Sequence, residues 1–209
     1  MAQTLKPQIR ESIINASKEE FLKYGYENAS MRRIAKKANM TVGNLYRYFK
    51  NKEDINAKII EPCLKELKVV TKNVTKSNIS LETRVFDVKF NIGQLLDNVD
   101  TLIDQLIDIR SRYTTEFKIL MNSSEVRDNL IEWLSKLAND MVSVHYESET
   151  TKEDVDLLAK SYALSIYDGL IEMINTDEVD IEKIKTLSKH YFRSCIYMLD
   201  TDTNKFFEK

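Results

Sequence analysis

Three observations predict an all-α fold for this 209-residue chain. It has only four glycines and two prolines. Its Leu, Ile, Lys and Glu residues recur at helical spacing, and no stretch alternates as a half-buried strand does. The length suffices for one or two compact domains with a sizeable core.

A first helix fits Pro7 to Tyr24. Pro7 stands near its start, where a missing N–H costs nothing. Ile9, Ile13, Ala16, Ser17, Glu20 and Phe21 share one face, in which Glu20 is a blemish. Gly25 supplies a stop that tolerates positive φ. Ser30 is placed to cap a second helix over Met31 to Ala38, whose inner face is Ile34, Ala35 and Ala38. Asn39 suits a left-handed turn. Thr41 can cap a third helix to about Phe49, with Leu45 and Phe49 facing inward. Asn51 can cap a fourth, with Glu53 and Asp54 in the first turn where the helix dipole favours acids. Pro62 predicts a kink or break near Glu61. Further helices are expected over 64–76, 81–97, 99–120, 125–146, 152–175 and 180–200.

The net charge of −2 hides an asymmetry. Residues 1–58 hold 12 basic and 6 acidic groups, and the remainder 19 and 27. A basic head on an acidic body suits a nucleic-acid module joined to a larger partner domain, although chance scatter in Lys-rich and Glu-rich helices is the plain alternative. Cys63 and Cys195 are far apart, lack a CxxC pattern and are expected to stay reduced. No signal-like leader and no apolar run of about 20 residues is present. A cytoplasmic protein with no membrane partner is expected.

The segment Ser30–Glu53, SMRRIAKKANMTVGNLYRYFKNKE, carries the chemistry. Two short helices joined by a tight turn, the first basic and the second tyrosine-rich, match a helix-turn-helix. The first turn of a reading helix approaches base edges and phosphates in the major groove. Thr41, Val42, Gly43 and Asn44 would stand there. Gly43 costs a helix about 1 kcal/mol relative to Ala, so its presence needs a reason such as close approach to DNA. Val42 offers a methyl surface to thymine, and Asn44 can read adenine or bond a phosphate. Tyr46, Arg47, Tyr48 and Lys52 face outward or to one side as phosphate donors, with Arg32, Arg33, Ser30 and Lys6 nearby. Each alone could be an ordinary solvated residue; their concentration within a few turns points to double-stranded DNA.

From Ile13 to Ile55 the chain resembles the DNA-binding head of the TetR/AcrR family of bacterial transcriptional regulators. The shared residues are Ile13-Ile14-x-Ala16, Phe21, Gly25-Tyr26, Ser30, Ile34-Ala35, Ala38, Thr41, Gly43-Asn44-Leu45-Tyr46, Tyr48-Phe49 and Asn51-Lys52-Glu53. Asn39, Ser17 and Glu20 depart from the family pattern. The resemblance implies a three-helix helix-turn-helix domain, 1–51, and a helical effector-binding and dimerisation domain, 52–209. It implies a homodimer that binds operator DNA and a repressor released by an unidentified small-molecule effector.

Phe86, Phe90, Tyr113, Phe117, Met121, Trp133 and Met141 lie on helices that, by this resemblance, surround an effector cavity; ordinary core packing is the alternative for each. The 152–175 stretch has a narrow polar stripe, Ser161, Ser165, Asp168 and Glu172, and a wide apolar arc. Together with 180–200 it is the expected dimer surface, through Tyr162, Ile166, Leu170, Tyr191, Cys195 and Met198, unless this helix is central to a monomer. His145 and His190 are lone histidines, so neither a metal nor a cofactor is expected. No phosphate loop, GxSxG or Cys/His pair nominates an enzymatic reaction. A helical protein-interaction module with a vestigial head remains a rival.

Overall fold

The computed structural model describes residues 6–76, 92–143, 151–176 and 179–200. All regular elements among them are helices: α1 Pro7–Asn28, α2 Met31–Lys37, α3 Val42–Leu45, α4 Lys52–Lys76, α5 Ile92–Arg112, α6 Thr114–Met121, α7 Ser124–Val142, α8 Lys152–Asn175 and α9 Ile181–Asp200. None is long and apolar enough to cross a membrane.

The chain divides into two compact units, Met1–Lys68 with Ile109–Ser123, and Val69–Asp108 with Ser124–Lys209. Packing thus groups α6 and much of α4 with the N-terminal helices, beyond the 1–51 segment expected to form the first domain. The first unit is built on Ile13, Ala16 and Phe21 of α1, Ile34 and Ala35 of α2, Leu45 of α3, Phe49, and Ile55 and Ile59 of α4. Ile119 of α6 joins the same core. An ion pair between Lys18 and Glu116, 2.5 Å, ties α1 to α6.

Several boundaries differ from those expected, each for a tertiary reason. Pro62 does not break α4, which runs through it. Its ring is exposed, while Ile55, Ile59, Cys63 and Leu67 form a buried stripe on another face. That burial offsets the lost backbone bond. No break separates 97 from 99, because α5 continues across them. The break falls instead at Tyr113, whose non-helical backbone (φ −131°, ψ 48°) precedes α6. The Tyr113 hydroxyl donates to Glu66 Oε1 at 2.9 Å, and Arg112 pairs with Glu66 at 2.6 Å, so a carboxylate of α4 holds both sides of this corner. Part of the 81–97 expectation lies outside the described residues.

In the second unit α7 packs on α8 and α9, and α8 on α9. Thr151 and Asp154 form a reciprocal capping box at the start of α8. The polar stripe Ser161, Ser165, Asp168 and Glu172 is exposed as expected. Gly169 leaves room for the Tyr191 ring, which a Cβ there would overlap, and the Tyr191 hydroxyl donates to Ser165 O at 2.7 Å. Between α5 and α9 runs a ladder of ion pairs: Asp108–Lys185 at 2.8 Å, Asp104–Lys189 at 2.6 Å and Asp100–Arg193 at 2.5 Å. Acids at every fourth residue of α5 meet bases at every fourth residue of α9. Asp108 and its neighbours hold the Lys185 ammonium pKa above its ordinary value.

These pairs are partly exposed, so each contributes modestly. Asp104→Asn is expected to cost up to about 1 kcal/mol in urea denaturation at low salt. The cost should largely vanish at 1 M salt, where the screening length is about 3 Å.

Candidate nucleic-acid interface

The reading unit is assembled by local chemistry. Gly25 interrupts α1 with φ 73° and ψ 161°, turning the chain toward α2. Asn39 takes φ 54° in the turn between α2 and α3, the left-handed conformation expected of it. Thr41 Oγ1 accepts the Asn44 N–H at 3.2 Å and so caps α3. Asn51 Oδ1 accepts the Asp54 N–H at 2.8 Å and caps α4. The third helix is shorter than expected: it ends at Leu45, and Tyr46–Tyr48 form a turn. Here the chain bonds partly to the third residue back, Arg47 N–H to Asn44 O and Tyr48 N–H to Leu45 O. Leu45 and Phe49 are both buried, as their inward spacing predicts, and the Arg10 guanidinium lies 4.6 Å from the Phe49 ring centre.

The expected DNA-facing residues fall into three groups. Lys6, Arg32, Thr41, Gly43, Tyr46 and Arg47 are exposed. Ser30, Val42, Asn44 and Tyr48 are half-buried, with Val42 and Tyr48 packed against the core. A Cβ at Gly43 would meet nothing within 4 Å, so no internal contact demands glycine there.

Arg33 and Lys52 make the third group, because each is bonded inside the head. Arg33 Nε donates to Glu20 Oε1 at 2.5 Å and its Nη2 to Asn28 O at 2.6 Å. Its guanidinium also lies 4.4 Å from the Tyr24 ring centre. Lys52 Nζ donates to Tyr26 O at 2.7 Å and Glu27 O at 3.0 Å, beside the Tyr26 ring. These bonds hold the irregular turn after Gly25. Ser30 occupies the cap position of α2 but its side chain makes no capping bond; its own N–H donates to Glu20 Oε1 at 3.1 Å. The blemish in the α1 stripe is therefore a buried acceptor. Its signal in the sequence was a carboxylate on an apolar face with an arginine thirteen residues on.

Phe117 and Met121 are buried and Tyr113 half-buried in the first unit. Trp133 is half-buried and Met141 buried in the second; Phe86 and Phe90 lie outside the described residues. The second unit has a groove of about 620 Å³ lined by other residues, among them Ile131, Ser135, Asn139, Asp140 and Ala159. Burial raises the Asp140 carboxyl pKa there. Of the expected dimer residues, Met198 is exposed, Tyr162, Leu170 and Tyr191 are half-buried, and Ile166 and Cys195 are buried by their own chain. His190 is exposed and His145 lies outside the described residues. Among the described residues no group of three His, Cys, Asp or Glu is placed to hold a metal.

Burial first, and then the bond donated to Glu53, raise the Tyr26 hydroxyl from 10.0 to about 12. A folded pKa above the ordinary one means a contribution complete below pH 10 and lost as pH rises toward 12. Tyr26→Phe should remove that alkaline loss, read as unfolding midpoint against pH from about 9 to about 12.

Residues 13–59 match the family described as bacterial regulatory proteins, tetR family. The uncharacterized HTH-type transcriptional regulator YhgD of Bacillus subtilis (strain 168) is 25% identical over 135 residues, 64% of this chain. That match spans 63% of the relative's own length, less than two thirds. Two solved structures share the fold. A TetR-like transcriptional regulator from Rhodococcus sp. RHA1 aligns over 93% of this chain and 99% of its own, with TM-score 0.52 and 16% identity. A TetR family transcriptional regulator from Chloroflexus aurantiacus J-10-FL aligns over 94% of both chains, with TM-score 0.51 and 14% identity. Residues 13–59 are thus similar to the tetR family of bacterial regulatory proteins, and they hold the helix-turn-helix geometry described above.

Proposed function

We propose that this chain is a sequence-specific DNA-binding repressor, acting as a homodimer and released from its operator by a small molecule bound within 52–209. The observation that carries the reading is the short α3 with its following turn: Thr41, Gly43, Tyr46 and Arg47 exposed on a backbone pinned by Leu45 and Phe49. Asn44 and Val42 are the residues assigned to base edges, and Tyr46, Arg47, Tyr48 and Arg32 to phosphates. Two heads would meet major grooves on one face of the DNA, about 34–36 Å apart or a multiple of it, favouring a pseudo-palindromic site. A ligand releases such a dimer only if it binds the DNA-competent and incompetent states with different affinity.

Gly43 provides the sharpest test. No described residue opposes a Cβ there, so Gly43→Ala should stabilise the head by up to about 1 kcal/mol in thermal unfolding. The same change should weaken retention of the chain's own upstream DNA in a gel shift, because the methyl would stand between backbone and duplex. A stabilised variant with unchanged DNA binding would contradict the placement of Gly43 at the DNA. Failure of the unaltered protein to prefer its upstream region over a scrambled duplex would favour a protein-interaction role instead. Sedimentation at micromolar concentration should give about twice the chain mass of 24.4 kDa.

A further inference from the structure

Glu20 is buried to 0% exposure, and its Oε2 is buried with no hydrogen-bond partner. A carboxylate in such a place must be held by strong partners, since desolvation penalises its charge. Its Oε1 has two: the Ser30 N–H at the start of α2 and the Arg33 Nε–H. In an ordinary capping box the third residue of the helix is a Glu or Gln whose side chain accepts the N–H of the cap residue. Here Ser30 is the cap residue and the third helical residue is Arg33, which has no acceptor. The missing acceptor comes from the preceding helix. Arg33 reverses the role and donates to that same carboxylate, with its fork also bonded to Asn28 O and stacked on Tyr24.

We propose that Glu20 is a positioning residue: its buried carboxylate anchors the start of α2 to α1 and keeps Arg33 off the DNA backbone. Arg33 is on the surface, its side chain 45% exposed, next to the exposed Arg32. Released, it would add a cation to a face that already carries phosphate donors. Phosphate contacts raise affinity for every sequence alike. Sequestering this one therefore lowers affinity for every duplex alike and leaves the choice between them to the base contacts. The inference rests on the DNA-binding reading above and adds to it which basic residue does not touch DNA.

The test uses the full-length chain and two fluorescent duplexes, one from its own upstream region and one scrambled. Affinity is followed by anisotropy from about 50 to about 200 mM salt for the unaltered protein, Arg33→Ala, Glu20→Leu, Glu20→Leu/Arg33→Ala and Glu20→Gln. Each phosphate contact contributes about 0.9 to the slope of log affinity against log salt. Arg33→Ala should leave the slope unchanged. Glu20→Leu should steepen it by about 0.9 and raise affinity for both duplexes by a similar factor at the low-salt end. The double variant should lose that extra slope. Glu20→Gln keeps the volume and one acceptor, and should steepen the slope by less; it decides the matter if Glu20→Leu does not fold.

If Arg33→Ala alone flattens the slope by about 0.9, Arg33 is a phosphate ligand in the unaltered protein and the proposal is overturned. It is overturned equally if the Glu20 variants keep the original slope. If the unaltered protein shows no preference between the duplexes, the DNA-binding reading itself fails and this inference with it.

Discussion

Everything at the candidate site depends on one constraint: a helix of four residues cannot hold itself. Nucleating a helical turn fixes several dihedrals for a single hydrogen bond, so an isolated turn this short is unstable in water. α3 exists because Leu45 and Phe49 are buried beside Ile34, Ala35 and Ile55, while Thr41 satisfies the Asn44 N–H. Burying side chains of that size contributes roughly 1.5–3 kcal/mol each. The exposed face that this arrangement presents is then a consequence of packing, and its aim is set by the core beneath it.

The same constraint accounts for the polar braces of the head. Around the reading unit the backbone is irregular, with Gly25 and Asn39 at positive φ and an extended Ala29. Irregular backbone leaves carbonyls and N–H groups that need partners from elsewhere. Lys52 supplies donors to the carbonyls of Tyr26 and Glu27, Arg33 to Asn28, and Glu20 an acceptor to Ser30. Residues with the composition of a phosphate clamp thus serve partly as internal scaffolding. Charge on a helix-turn-helix face does not identify a DNA contact until its internal partners are counted.

What could be read from sequence follows the range of the forces involved. Gly25, Asn39, Thr41 and Asn51 were legible because a turn or cap is decided within a few residues. The faces of the first helices were legible because their apolar spacing is regular. Pro62 and Tyr113 were not. Local preference predicts a break at the proline, but the buried stripe of α4 carries the helix through; at Tyr113 a carboxylate 47 residues away helps to hold a corner that periodicity does not show. Glu20 looked like a flaw because its partners lie ten and thirteen residues on, beyond the reach of helix periodicity. Tyr191 could be placed on an outward apolar face, yet its hydroxyl returns to α8, a bond that only the helix pairing reveals.

Tertiary burial, and not the turn's own propensity, fixes α3. Native-state amide hydrogen exchange measures this directly at the Leu45 and Phe49 amides, which bond to Thr41 O and Leu45 O. If burial fixes α3, these amides open only with the unit as a whole, at the same free energy as the Ile34 amide in α2. Exchange of Leu45 and Phe49 at the rate of an exposed turn, with Ile34 still protected, would show instead that α3 frays independently of its core and that burial does not fix it.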